Sequence, residues 1–319
     1  MVKQKASFNW FPGHMNKTIK EIEATLPIID LVIEIVDVRA PYSSQNPLLK
    51  KLLAKKNKLM VFTKCDIADK TVTSQWSDYF KNTNTWTYFI KNKTMDISKD
   101  IIKKINEATI DIQIKQKNKG VENPQLNVLV VGIPNVGKST VITKLAKGKT
   151  AKVGNKPGLT RGLQRFNLTN NITVIDTPGI LPSKFENETV ACNCAAINSI
   201  KLDLIPKERF ATKIMRYIYN SYPYLIESKY NIKNTALRPI NYEDTYKIFE
   251  QIAMKYNFLI IDDIYDVDRA IDNFINDVIG CKLGAVSFEK PIEVVEVNSL
   301  TLDDIDIDKV TESDLTVEW

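Results

Sequence analysis

Nine residues, GIPNVGKST from Gly132 to Thr140, restrict the fold of this chain more than anything else in it. They match the spacing G-x-x-x-x-G-K-[ST], follow the apolar run LNVLVV and open the stretch KSTVITKLAKG. Glycines at such a strand-to-helix junction let the backbone wrap closely, so successive N–H groups and the helix start face phosphate oxygens. A loop of this kind needs a strand before it, a helix after it and further strand–helix units around it. Those units are legible. DLVIEIVDV, KLMVFTKCD as far as Thr63, TWTYFI and NNITVID read as strands. PLLKKLLAKK, SQWSDYFKN and KDIIKKINEATIDIQIKQK read as helices, the last as one long one. The alternation predicts an α/β fold, a doubly wound parallel sheet, with QRFNL as an antiparallel edge strand. After Pro182 the pattern turns helical, in ETVACNCAAINSI, KERFATKIMRYIYNSYP, NYEDTYKIFEQIAMKY and VDRAIDNFINDVIG. Three regions are therefore expected: 1–182 with the sheet, an all-helical 183–291, and a tail 292–319 read as mobile.

The chemistry implied is that of a nucleoside triphosphate. The loop residues Asn135, Val136, Gly137, Lys138, Ser139 and Thr140 line the phosphates, Lys138 reaches the β- and γ-phosphates, and Ser139 offers Mg2+ a hydroxyl. DTPG, Asp176 to Gly179, closes the strand ITVI. That places Asp176 to hold Mg2+ through water and the Gly179 N–H to meet the γ-phosphate. In KPGLTRG, Lys156 to Gly162, Thr160 is placed to bind Mg2+ and the γ-phosphate from a mobile loop. TKCD, Thr63 to Asp66, names the base. A carboxylate there accepts from N1–H and the 2-amino group of guanine, a donor pair that adenine lacks, so Asp66 selects GTP. The Lys64 stem covers the base face. Thr63 stands where the usual form of this motif has Asn, which is expected to weaken support of the phosphate loop. The order is unusual, because the guanine motif precedes the phosphate loop instead of following DTPG. The set is permuted, and DTPG leads straight into the helical region.

Composition narrows the partners. The net charge of +6 divides unevenly: 292–319 holds nine acids and one base, so the tail carries −8 and the remainder +14. A basic body suits a polyanion such as RNA, or serves only solubility. Lys207, Arg209, Lys213 and Arg216, on the segment KERFATKIMR, are the candidate phosphate contacts. Cys65, Cys192, Cys194 and Cys281 form no CxxC pair and there is one histidine, so a Cys/His zinc site is excluded and the thiols read as reduced. No run of about 18 apolar residues would insert in a membrane. The N-terminus MVKQKASFNW has no apolar leader core.

WFPGHM, DVRAPYSSQNP, TKCD, GIPNVGKST, KPGLTRG, DTPGILPSKFE and GCKLGAVSFEKP, in that order, resemble the circularly permuted GTPases, and most closely the ribosome biogenesis GTPase A (RbgA/YlqF) family. Its mitochondrial relatives are ribosome-associated GTPases. The resemblance covers nearly the whole chain and ends in the acidic tail. It implies a permuted GTPase domain followed by a helical RNA-binding domain, acting late in assembly of the large ribosomal subunit. It implies GTP and GDP as ligands, and the subunit and its rRNA as partners of a monomeric protein. The cytoplasm is the expected compartment, with the mitochondrial matrix as alternative. Asn135 matches the residue linked in this group to K+, and Lys91 and Asn92 fall where the family has its last base-side loop. Ile180 stands where many GTPases carry the glutamine that positions water, and an aliphatic side chain does not do that work. His14 in FPGHM matches the family's proposed catalytic substitute.

Two other readings compete. A non-catalytic module would use GTP only to shape an RNA-binding surface, which Ile180 favours and His14 and Asn135 oppose. An ATP-dependent kinase would share the phosphate loop, and Asp66 opposes it.

Overall fold

The computed structural model describes residues 13–81, 83, 85–92, 94, 96–146, 162–233, 237–261 and 264–291. In chain order they form α1 (Gly13–Thr25), β1 (Leu31–Asp37), α2 (Pro47–Leu52), β2 (Asn57–Thr63), α3 (Lys70–Lys81), β3 (Trp86–Phe89), α4 (Ser98–Ala108), α5 (Ile110–Asn118), β4 (Leu126–Val131), α6 (Lys138–Leu145), β5 (Gln164–Asn167) and β6 (Ile172–Asp176). Then come α7 (Glu188–Ala196), α8 (Lys207–Ser221), α9 (Pro223–Tyr230), α10 (Tyr242–Lys255), β7 (Leu259–Ile261), β8 (Ile264–Tyr265) and α11 (Val267–Ile279).

β1 to β6 make one sheet in the order β3-β2-β1-β4-β6-β5. All neighbours are parallel except β5, which pairs antiparallel with β6 at the edge. Every residue of β1 is buried, as a central strand covered on both faces requires. Glu34 in its middle is tolerated because Lys58 on the adjacent strand lies 2.8 Å away. The chain builds outward from β1 through β2 and β3, then crosses to β4 on the other side. The switch in direction therefore falls between β1 and β4, and a crevice at the carboxyl ends of such strands is where α/β sheets bind ligands.

Two expectations need correction. The long helix over 99–117 is broken at Thr109, whose hydroxyl donates to the Ile105 carbonyl at 2.8 Å, a back-bond that bends helices. The region after 182 is not all-helical, because β7 (Leu259–Ile261) and β8 (Ile264–Tyr265) pair antiparallel. Their β-branched isoleucines outweigh the helical pattern on either side.

One core cluster runs from Leu31, Ile33 and Val130 of the sheet through Cys194 and Ile197 to Phe210, Ile214, Phe249 and Phe274 of the later helices. Helices and sheet share it without a break. The opposite face buries Ile19, Ile22, Leu49 and Leu129, and Trp76 fills a third cluster with Phe62 and Phe80. The segment after α11 then returns to the sheet. The Trp76 Nε1–H donates to the Glu289 carbonyl at 3.1 Å. The buried Glu289 carboxylate accepts from the Tyr42 N–H at 2.7 Å, from the Ser43 N–H and hydroxyl, and from Asn193 at 3.1 Å. Among the described residues no helix is long and apolar enough to cross a membrane.

Candidate functional site

The carboxyl ends of β1, β2, β4 and β6 meet at one edge of the sheet: Asp37 pairs in register with Thr63, Glu34 with Val131, and Val130 with Asp176. The phosphate loop leaves β4 at that edge. A side chain on Gly132 would place its Cβ 2.8 Å from the Ile35 carbonyl oxygen, so the close turn requires glycine. Gly137 has φ +97°, and Asn135 also adopts the left-handed region, at φ 61°. α6 opens at Lys138, leaving Ser139 and Thr140 exposed in its first turn. Val136 is buried.

Lys138 and Asp176 are brought together, with Nζ 2.7 Å from Oδ1 and both side chains nearly buried. DTPG packs onto the loop: a Cβ on Gly179 would lie 3.0 Å from the Pro134 backbone. The Ile180 N–H donates to the Gly132 carbonyl at 3.3 Å, and its side chain is buried in the core on the α1 side. It faces no reacting group.

On the other side, Thr63 corrects the sequence reading. Its Oγ1 lies 2.5 Å from the Val136 carbonyl and 3.1 Å from that of Val36, and its methyl packs 3.4 Å from where a Gly137 Cβ would stand. The threonine supports the phosphate loop directly. Thr63→Ala removes that hydrogen bond, worth about 0.5–1.5 kcal/mol, so GTP affinity is expected to fall up to about tenfold, read by titration with a fluorescent nucleotide. An unchanged Kd would show the contact to be idle.

Lys64 follows with φ 60°, and its ammonium sits 2.8 Å from the Asp37 carboxylate. Asp66 is exposed at the mouth of the edge. Burial, with the Asp66 charge second, pushes the Cys65 thiol up to about 12, so it stays neutral. The Ile90 N–H donates to the Phe62 carbonyl at 2.9 Å, which sets the β3–α4 loop beside TKCD. Lys91 and Asn92 are exposed there, and Asn92 caps its own turn by accepting from the Thr94 N–H at 3.1 Å. The Asn135 amide donates to the Asn198 carbonyl, just after α7, at 2.6 Å.

His14 belongs to the first turn of α1; its side chain, like all of Thr160, lies outside the described residues. α1 is fastened by buried Met15, Thr18, Ile19 and Ile22.

The four basic residues of α8 are less free than the sequence suggests. Lys207 pairs with Asp272 at 3.0 Å, and Arg209 and Lys213 approach Glu188 at 2.5 and 3.9 Å. The Arg216 guanidinium lies over the Tyr242 ring, 4.7 Å from its centroid.

Sequence reasoning gave no role to Asp37, Arg39, Ser43, Asn193 and Glu289, which form buried polar clusters between sheet and helices. Their signal was charge at the ends of apolar runs, in DVRAPYSS and SFEKP.

A family model described as 50S ribosome-binding GTPase matches residues 127–225. It begins on β4 and takes in the phosphate loop, DTPG and α8, while TKCD lies before it, as a permuted order requires. The Ribosome biogenesis GTPase A of Priestia megaterium is 33% identical over 288 residues, spanning 90% of this chain and 98% of that relative. The chain belongs to the ribosome biogenesis GTPase A family. It carries the family's α/β GTPase fold. Mouse Mitochondrial ribosome-associated GTPase 1 is 33% identical over 215 residues, 65% of each chain. Among solved structures, a GDP-bound YlqF aligns with TM-score 0.61 at 26% identity, covering 85% of this chain and 99% of that one. The GNP-bound YlqF of T. maritima aligns with TM-score 0.57 at 27% identity, covering 86% and 98%.

Proposed function

We propose that this chain hydrolyses GTP as an assembly factor for late maturation of the large ribosomal subunit, binding the pre-subunit and its rRNA in a GTP-dependent way. The observation that carries the reading is the meeting of Asp66, the phosphate loop and Asp176 at one sheet edge, in a chain whose relatives are named for ribosome biogenesis. Asp66 reads guanine, with Lys64 along the base and Lys91 and Asn92 closing its outer side. The backbone from Asn135 to Thr140 and the Gly179 N–H hold the phosphates. On binding, Lys138 exchanges its carboxylate partner for phosphate oxygens.

The donors suit Mg2+: one hydroxyl from Ser139, one from Thr160 and a carboxylate. Among the described residues no group of three or more His, Cys, Asp or Glu forms a cage, and Mg2+ ordinarily relies on substrate phosphates and water. When bound, the ion neutralises charge on the phosphates. The Asn135 side-chain oxygen, left over by an amide that donates to Asn198, is the candidate K+ ligand. His14 is the candidate that positions the attacking water. The division at 182/183 separates nucleotide chemistry from RNA contact, and the tail stands apart. The protein works as a monomer in the cytoplasm, with the mitochondrial matrix as the alternative suggested by the mitochondrial relatives.

The test is co-sedimentation with large ribosomal subunits in a GTP analogue and in GDP. Binding favoured by the analogue is expected, and equal or absent binding in both states would refute the reading. Reversing the charges of Lys207, Arg209, Lys213 and Arg216 is expected to weaken subunit binding and flatten its salt dependence, since each phosphate contact releases counterions. An unchanged salt slope would make these residues an ordinary ion-paired surface.

The buried Ile180 favours one second reading, a module that senses GTP without hydrolysing it. Multiple turnovers in the presence of subunits would exclude that.

A further inference from the structure

In a buried ionic cluster between the guanine loop and the later helices, only Lys64 takes part in the steps above. Asp37 ends β1 with no exposure. Its carboxylate accepts from the Arg39 N–H and Nε–H, both at 3.0 Å, and from Nη2 at 2.7 Å, and it pairs with the Lys64 ammonium at 2.8 Å. Burial alone would raise this carboxyl, but the Arg39 and Lys64 charges outweigh it and hold it below the ordinary aspartate value. The Arg39 fork has further hydrogens. Nη2 also donates to the Ile197 carbonyl at 3.4 Å, and Nη1 to Cys281 Sγ at 3.1 Å. The Arg39 carbonyl accepts from the Phe288 N–H at 2.6 Å.

Ile197 caps α7, Cys281 follows α11, and Phe288 lies in the segment that returns to the sheet. One residue beyond Ile197, the Asn198 carbonyl takes the Asn135 amide of the phosphate loop at 2.6 Å. The end of α7 is thus bonded toward both sides of the nucleotide site. Asn135 leads to the phosphates, and Arg39, Asp37 and Lys64 lead to the base.

We propose that Arg39 is a positioning residue that ties Lys64 of the guanine loop, through the carboxylate they share, to the end of α7 and to the segment 281–288. Nucleotide in the site and a grip on the helices then set each other's affinity. The inference rests on the reading of Lys64 and Asp66 as the guanine loop. Separating Arg39 from Asp37 would leave two buried charges without their main partner, a strongly unfavourable state, so these two shift together, and Lys64 is held to them by the carboxylate they share. A guanine that fixes Lys64 fixes Asp37 and Arg39 with it. Linkage makes the effect reciprocal, so a partner that moves the end of α7 changes nucleotide affinity by the same factor.

Hydrogen exchange on the full chain, with and without GTP or GDP, tests this. Nucleotide is expected to slow exchange at 63–67 and 132–140, and also at 197–200 and 281–288. In Arg39→Lys an ammonium remains beside Asp37 but cannot span the fork. The first two protections should then persist, while nucleotide-dependent protection at 197–200 and 281–288 falls about fivefold or more, the low end of usual coupling. A merely structural arginine would raise exchange equally with and without nucleotide and leave the difference intact, and that result overturns the proposal. If Arg39→Lys does not fold, Cys281→Ala removes one acceptor and leaves Asp37 paired, and full nucleotide-dependent protection at 281–288 in that variant overturns it equally. Wild-type protection at 63–67 without any at 197–200 defeats the coupling alone. Protection at 132–140 without any at 63–67 defeats the guanine reading and the coupling with it.

Discussion

Asp66→Asn is expected to lower GTP affinity by about 10²–10⁴-fold and to make XTP the better ligand. The carboxylate accepts two hydrogen bonds from guanine, and charged hydrogen bonds contribute about 1.5–3 kcal/mol each, or about 3–6 kcal/mol together. Asparagine keeps one acceptor and adds a donor. Xanthine presents a carbonyl where guanine has its 2-amino group, so the new amide meets an acceptor. The loop that carries Asp66 is held in place independently, by Thr63 on the phosphate loop and by Lys64 on Asp37. Competition of GTP and XTP for a fluorescent nucleotide reads the switch, and unaltered affinities for both would remove Asp66 from the base site.

Replacing His14 by Ala should slow subunit-stimulated GTP hydrolysis by about 10²–10⁴-fold, the usual worth of one positioned acid–base group, while GTP binding stays close to that of the parent. Ile180 is the reason. Its side chain is sealed in the core and its N–H is spent on Gly132, so no rotation brings it to the attacking water. A neutral imidazole both accepts from water and donates to a neighbour near working pH. His14 begins a helix whose following turns are anchored by Met15, Thr18, Ile19 and Ile22, so a docking subunit would have a firm base from which to orient it. If the residue only orders its turn, the variant loses stability and recovers turnover on cooling. Normal stimulated turnover would end the catalytic role, and parallel loss of subunit binding would move His14 to the docking surface.

Much of this molecule was written in short-range signals. The phosphate loop, DTPG and TKCD each sit at a strand end, and their strands were marked by continuous β-branched runs. The antiparallel edge strand QRFNL was legible too, although it holds no β-branched residue. What escaped depended on contacts distant in sequence. The support that Thr63 gives the phosphate loop spans 73 positions, and no local rule distinguishes it from a weakened asparagine site. The ion pairs that occupy Lys207, Arg209 and Lys213 come from Asp272 and Glu188 on other helices, so a stretch that reads as basic is partly neutralised. The break at Thr109 turns on one hydroxyl, and the β7–β8 hairpin on a few isoleucines between helical signals.

The return of the last described segment to the sheet bears on how the chain is made. Glu289 satisfies the backbone at Tyr42 and Ser43 and, through its carbonyl, the Trp76 indole. Tyr42 lies 247 residues earlier. At translation rates of about 5–20 residues per second, roughly 10–50 s pass between synthesis of the two. For that interval the N–H groups of the segment after β1 and the Trp76 indole lack their acceptors. Contacts of such long range form late in folding. A nascent chain of this protein therefore completes its first strand's surroundings only when Glu289 has left the ribosome that is making it.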